Sequence, residues 1–422
     1  MRHRRFASIL VLYASAVGSA AAADTTVELE YRGHYYSDGA KADPNIRQGF
    51  YAAIDVGQQI GRLSLKARAS ARSNQEADYG IYDDRLYLEE MKVVYSTEKM
   101  DIAAGRQAIR NGRATLVNPT DYFDQRDYRD ALLATDRYLG TDGVKLTYRV
   151  AGFDVDAVYA PIRKASLMPH VQSRWFFALP DAIDIGVGDP VPVSYRWSKY
   201  DGTTSDPGKP QVMLKLNRDA DSFSYAFSYF RGQDNLPDFE EGVPFVGRSG
   251  LVVPIVQSYP TKRSFGVDAE VLAGKFVLRA EAARVDLDYA GGRRDRYDHA
   301  VVGFDIAVDN GLFGKDTYLA VEYSKQVSRD GAKYRKENLR HIFSDALVAR
   351  LELDVTSEDS VSGNVVYDTA NGQSVAMIEW RHEFNDRLSM KTSIDILSGS
   401  RDTFFGQYGR NDRVGFGLEY VF

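Results

Sequence analysis

Between residues 105 and 130 the chain reads GRQAIRNGRATLVNPTDYFDQRDYRD, which gathers five arginines and four aspartates around a short apolar run. A guanidinium group is always charged, flat and forked, so several of them facing a narrow aqueous passage would draw carboxylates or sulfates through it. Arg106, Arg110 and Arg113 precede any acid, whereas Arg126 and Arg129 are interleaved with Asp121, Asp124, Asp127 and Asp130. A second account of the same residues makes the aspartates neutralise Arg106, Arg126 and Arg129 in a ladder that braces a folded-in loop. Glu89 and Glu90, just upstream, supply further partners. The apolar parity shifts there from Leu86 and Leu88 to Met91 and Val93, which predicts a β-bulge.

Other chemistry is harder to find. The chain has no cysteine, which removes thiol catalysis, cysteine-ligated metals and c-type haem attachment. Its six histidines show neither HExxH nor paired spacing, and GxSxG, P-loop and GxGxxG patterns are missing. A Ser/His phospholipase or Asp/His protease would have to assemble in space around His170, His299, His341 or His382. No metal and no cofactor is implied. A formal net charge of −6 argues against a uniformly basic nucleic-acid binder.

The elements that must position these residues follow a period of two. In SFSYAFSYF (222–230), Phe223, Tyr225, Phe227 and Tyr229 share one face, opposite Ser222, Ser224, Ala226 and Ser228. The same alternation recurs in 152–160, 210–218, 264–272 and 388–397, with charged residues mid-strand on the second face. Segments such as 275–289 and 373–384 have the ~9–11-residue span of a tilted membrane strand, longer than the ~5–6 typical of soluble sheets. Turn signals at Ala151-Gly152, Asn310-Gly311 and Asn371-Gly372 make consecutive strands antiparallel neighbours. Eleven of the 13 prolines fall between Pro161 and Pro260, marking 161–210 and 232–262 as long connections on the extracellular side. In 335–350, Leu339, Ile342, Phe343, Ala346 and Leu347 keep helical spacing, which reads as a short loop helix or a slipped strand. GGRRDRYD (291–298) reads as a hairpin with a solvated basic tip.

These patterns define an all-β transmembrane antiparallel barrel of about 18 strands, with 16 as the alternative, closed so that no backbone polar group faces lipid unpaired. Mean hydropathy is −0.37 and no stretch beyond residue 23 approaches a spanning helix, while aromatics reach 12%. Residues 1–23 have the basic, apolar and small-residue regions of a secretory signal peptide, with cleavage expected after Ala23. Residues 24–422 then form one barrel domain in the outer membrane. Met100, Ile102 and Ala104 share the parity of Arg106. An arginine facing lipid at mid-depth costs ~2–4 kcal/mol, so a bulge or an exit from the bilayer is expected near Arg106.

The stretch 85–123, with Gly105-Arg106-Gln107 ending a strand before a charged loop, resembles the alginate-export-like outer-membrane porins. The closing FFGQYGRNDRVGFGLEYVF matches that family's final strand in character; Val414, Phe416, Leu418, Tyr420 and the terminal Phe422 share one face. The resemblance covers roughly 85–140 and 404–422. It implies inward arginines along an electropositive path for an anionic polysaccharide, with only Arg106 carried over by the motif itself, Gln107 set beside it in the pathway, and Arg110 and Arg113 added by spacing. The expected function is a monomeric channel for anionic or sugar-like solutes, or for export of a polysaccharide such as alginate. Its expected partners are the bilayer, lipopolysaccharide and the barrel assembly machinery, with an enzyme or a sheath around a partner protein as rivals.

Overall fold

A computed structural model describes residues 24–38, 45–74, 85–132, 139–171, 173–177, 179–184, 186, 189–197, 209–248, 250–331 and 339–422. The signal-peptide reading of residues 1–23 lies outside them. Eighteen strands form one antiparallel sheet closed on itself. In chain order they are β1 (Asp24–Tyr36), β2 (Ile46–Ile60), β3 (Leu63–Asn74), β4 (Arg85–Ser96), β5 (Met100–Gln107), β6 (Thr141–Val150), β7 (Phe153–Ala160), β8 (Gln211–Arg218) and β9 (Phe223–Gln233). They continue as β10 (Thr261–Ala273), β11 (Phe276–Asp288), β12 (Arg294–Val308), β13 (Asp316–Ser328), β14 (Asp345–Asp354), β15 (Asp359–Asp368), β16 (Gln373–Asn385), β17 (Leu388–Ser398) and β18 (Arg413–Val421). Each strand pairs with its sequence neighbours, and β18 pairs with β1, so the barrel has no open edge.

Alternation sorts the two faces. Outward positions are exposed and apolar, as with Phe227 (55%), Phe265 (60%) and Ile378 (49%), while inward positions are largely polar. This inverts a soluble protein and is the arrangement of a barrel wetted by hydrocarbon outside and water inside. Val414, Phe416, Leu418 and Phe422 of the closing segment are exposed on the outer face. One end of the barrel carries tight turns; at β6–β7, Ala151 (φ 50°) and Gly152 (φ 78°) both adopt the positive φ of a two-residue hairpin turn. The opposite end carries the long connections.

The bulge expected near Glu89 is present. Arg68 faces Glu90 while the next residue, Ala69, faces Leu88, so Glu89 is the extra residue. Leu86 and Leu88 before it and Met91 and Val93 after it can therefore all face outward.

The helical spacing in 335–350 does not produce an α-helix. Residues 332–338 lie outside the described ones, Leu339–His341 form one 3-10 turn, and β14 begins at Asp345. Strand alternation takes over there, burying Ala346 and exposing Leu347. Leu339, Ile342 and Phe343 instead pack inward on an apolar cluster that includes Trp175, Val301, Val348, Phe404 and Tyr408. The long connections also carry a sheet of their own, in which Val191–Trp197 runs parallel to Gly250–Ser258. The basic stretch 291–298 is mostly strand: only residues up to Arg293 form the turn, and Arg294 begins β12.

Candidate functional site

The described part of the connection between β5 and β6, residues 108–132 and 139–140, does not extend outward but folds into the barrel. Its start needs glycine. Gly105 has φ +124°, and a Cβ there would lie 2.2 Å from the Met91 carbonyl oxygen. Further on, a Cβ at Gly112 (φ +89°) would meet Glu281 Oε1 at 2.5 Å, so the backbone passes directly over the wall of β11.

Two wall glutamates hold the far side of this loop. Glu281 of β11 accepts from the backbone N–H groups of Arg113 and Ala114 (2.6 Å to Ala114) and from the Thr120 hydroxyl (3.1 Å). Glu322 of β13 accepts from the amides of Thr115, Leu116 (3.0 Å) and Val117 (2.9 Å). Both carboxylates are buried, at 2% exposure each. Five consecutive amides that the loop leaves unpaired are thereby satisfied, and each charge-assisted bond of this kind is worth about 1.5–3 kcal/mol. Tyr122 and Phe123 then pack on Phe230 of β9, with ring centroids 5.1 and 5.6 Å apart.

The near side is held by side-chain ion pairs. Asp127, fully buried, takes Arg72 of β3 (3.0 Å) and Arg129 (2.7 Å), and Arg129 also donates to the Tyr87 hydroxyl (2.8 Å). Glu89 joins Arg72 (3.1 Å) to Arg68 (2.9 Å), and Arg68 reaches Glu28 (2.9 Å) and Asp55. Asp130 accepts from Arg413 of β18 (2.6 Å), whose other partner is Asp395 of β17 (2.6 Å). The loop thus attaches to β3, β9, β11, β13 and β18, which lie around the whole circumference.

The residues singled out in the sequence are distributed unevenly around this bar. Arg113 reaches the wall, donating to Asp268 (2.8 Å), Asn217 (2.6 Å) and Asp219 (2.6 Å). Arg126 pairs with Asp124, and Glu90 with Lys92 (2.6 Å). Asp121 accepts from the Asn111 amide (3.3 Å), and burial, with Asp124 beside it, pushes its carboxyl well up. Gln107 is buried on the inner face and donates to the Ala103 and Gly143 carbonyls. Arg110 lies exposed at the start of the loop.

Arg106 does not enter the lumen. It faces Met91 across the β4–β5 pair and Asp142 across the β5–β6 pair, and these share its outward parity. The alternation of Ile102 and Ala104 simply continues. The cost is met by a bidentate bond to Asp142 (2.7 Å from both Nε and Nη2) and by donation to the Leu88 carbonyl (3.0 Å), near the loop end of the strand. The residues missed by sequence reading are Arg68, Arg72, Arg413, Glu281 and Glu322. Each is a charged residue on the second face of an amphipathic strand, and that position was the available signal.

The histidines fall into separate environments. His299 lies 2.8 Å from Ser324 Oγ, but Ser324 donates to the Phe343 carbonyl (2.6 Å) and is completely buried, so its hydroxyl is committed to the backbone. His341 bonds Asp295 (3.0 Å) and Gln326 (2.6 Å). His382 sits on the outer face with Asp359 (2.9 Å), and burial lowers the His170 imidazole. Among the described residues no group of three or more His, Cys, Asp or Glu could hold a metal ion.

Above the bar, three connections are clasped together. Arg340 donates to Asp234 (2.6 Å), Asp238 and the Leu236 carbonyl, and Arg293, stacked on Tyr289 at 3.7 Å, pairs with Asp238. Burial would raise both carboxyls, but the neighbouring cations outweigh it. Lys262 and Arg340 hold Asp234, and Arg340 and Arg293 hold Asp238, below the usual carboxylate range.

Fold and site together define a transmembrane β-barrel whose lumen is crossed by its own loop. No family model matches the chain, and no curated protein matches it. Among solved structures it is similar to in-vitro folded OmpT, an outer membrane protein of Vibrio cholerae in its trimer form, with 14% identity, a TM-score of 0.46, and 95% of this chain and 99% of that chain covered. It is also similar to the E1M, A104W mutant of Rh. blastica porin, with 13% identity, a TM-score of 0.43, and 95% and 100% covered.

Proposed function

We propose that the protein is an outer-membrane channel for passive passage of small polar solutes, sugar-like rather than strongly anionic. The observation that carries this is the bar of residues 108–132, tied to opposite walls inside a barrel whose inward face is largely polar. The anionic reading is weakened because Arg113, Arg126 and Arg129 are each held by carboxylates and Arg106 faces outward. Export of an alginate-like polymer is the less favoured variant, since a bar held by five amide bonds and several buried ion pairs stands in the path of a chain. The channel needs no cofactor and no catalytic step. One polypeptide closes the barrel, so a monomer suffices, inserted by the assembly machinery through its closing strand.

The test is reconstitution in planar bilayers and liposomes. Expected are small, weakly ion-selective conductance steps and liposome swelling by monosaccharides that falls off with oligosaccharide size. Arg106→Ala with Arg110→Ala should leave the reversal potential unchanged. Bilayers that stay silent, with liposomes impermeable to every sugar, would overturn the proposal.

A further inference from the structure

On the outer face of β9–β13 the apolar belt ends, toward the loops, in charge. Arg231 of β9 stands directly opposite Arg263 of β10, and Arg263 stands opposite Asp286 of β11. Like charges facing each other across an antiparallel pair repel, and Asp288 offsets the charge of Arg263 alone, leaving that of Arg231. The carboxylates nearby are already paired, Asp288 with Arg263 itself. Asp288 takes Arg263 (3.2 Å) and Arg294 (3.4 Å), Asp286 takes Arg329, and Asp298 takes Arg284 (2.9 Å). Arg231 is exposed and pairs with no carboxylate among the described residues.

Outside this sector the outward Arg106 of β5 is neutralised by its bidentate partner Asp142. On β1, β2 and β4 the outward positions near the loop end are Tyr35, Ile46, Phe50 and Leu86, exposed at 54%, 60%, 62% and 75%. A general polar rim would not make that distinction. Immediately below the arginines, Tyr229 and Phe265 pack at 4.8 Å and lead into the exposed Phe227. Cationic forks above an apolar strip match a molecule with a phosphate at one end and acyl chains at the other.

We infer that Arg231 and Arg263 form a binding site for the phosphate of a phosphorylated membrane lipid, whose chains lie along the strip headed by Phe265. This rests on the membrane-barrel reading of the chain and does not involve the lumen. Phosphate supplies acceptor oxygens for both guanidinium groups at once and removes their mutual repulsion.

Native mass spectrometry of the detergent-folded protein tests it, with lipid A, the same lipid after dephosphorylation, and inorganic phosphate as probes. Lipid A should stay bound, and Arg231→Ala with Arg263→Ala should weaken it at least tenfold. Arg218→Ala, at the tight-turn end, should leave it unchanged. The heat-modifiable gel shift of each variant verifies folding. Equal retention of the dephosphorylated lipid, full competition by an equal concentration of inorganic phosphate, or retention unaffected by the double variant would each overturn the site. Loss of lipid binding with conductance intact sinks only this inference, whereas a folded wild-type protein without conductance sinks the channel reading instead.

Discussion

The two attachments of loop 108–132 work by different chemistry. On β11 and β13 the wall supplies the anion and the loop supplies five backbone N–H groups, with the Thr120 hydroxyl as the single side-chain donor to the two glutamates. On β3 and β18 the wall supplies arginines and the loop supplies aspartates. The glutamate–amide bonds themselves carry no side-chain identity between Arg113 and Val117, although the Arg113 side chain adds its own bonds to the wall. The second depends wholly on Asp127 and Asp130. The far side therefore fixes the path of the backbone, and the near side fixes the register of particular residues along it.

The largest effect should come from breaking the far attachment. Glu281→Ala with Glu322→Ala leaves five loop amides without their acceptors, and at about 1.5–3 kcal/mol for each charge-assisted bond the bar has little reason to stay across the lumen. Single-channel conductance is expected to rise several-fold, and liposomes should admit sugars that the wild type excludes. Glu281→Gln with Glu322→Gln keeps acceptor oxygens and should lie between. If the alanine variant conducts like the wild type, the far attachment does not hold the bar.

Breaking the near attachment should cost stability more than it changes the bore. Arg413 is almost fully buried between Asp130 and Asp395, and Arg413→Ala leaves two carboxylates in a site built around a cation. Removing one partner of a buried pair costs about 3–5 kcal/mol. The urea midpoint of the detergent-folded barrel should fall accordingly, with conductance changed far less than in the double glutamate variant. Equal effects of the two on conductance would erase the distinction drawn between the attachments.

This contrast also explains what could be read from the sequence. Alternation in segments such as 222–230 announces a barrel because each residue reports its own face, and the parity change from Leu88 to Met91 announces the bulge at Glu89. The arginine and aspartate run announces a charged loop. It does not announce partners such as Arg413, which lies 283 residues from Asp130. Glu281 and Glu322 were less legible still, since their partners are backbone amides that carry no residue identity. Arg106 misled because it sits beside lumen-bound charge while its strand keeps its outward phase. Leu339, Ile342 and Phe343 misled because burial inside a barrel imposes no helical geometry on residues that are merely spaced like a helix.

The smallest effect is expected at the clasp of Arg340 with Asp234 and Asp238, which extends the near-side chemistry to the connections above the bar. Both carboxyls titrate below their usual values, so the stability they add is complete above the unfolded value of about 3.9 and is lost as pH falls through the folded one. Between pH 8 and 5 the clasp should contribute a constant amount, and channel noise from loop movement should stay flat. Below about pH 4 it should release, raising gating noise in the wild type. Arg340→Ala should show that noise already at pH 7, with the open-state conductance set by Glu281 and Glu322 unchanged. A wild-type transition centred between pH 5 and 7 would assign the movement to groups other than these two aspartates.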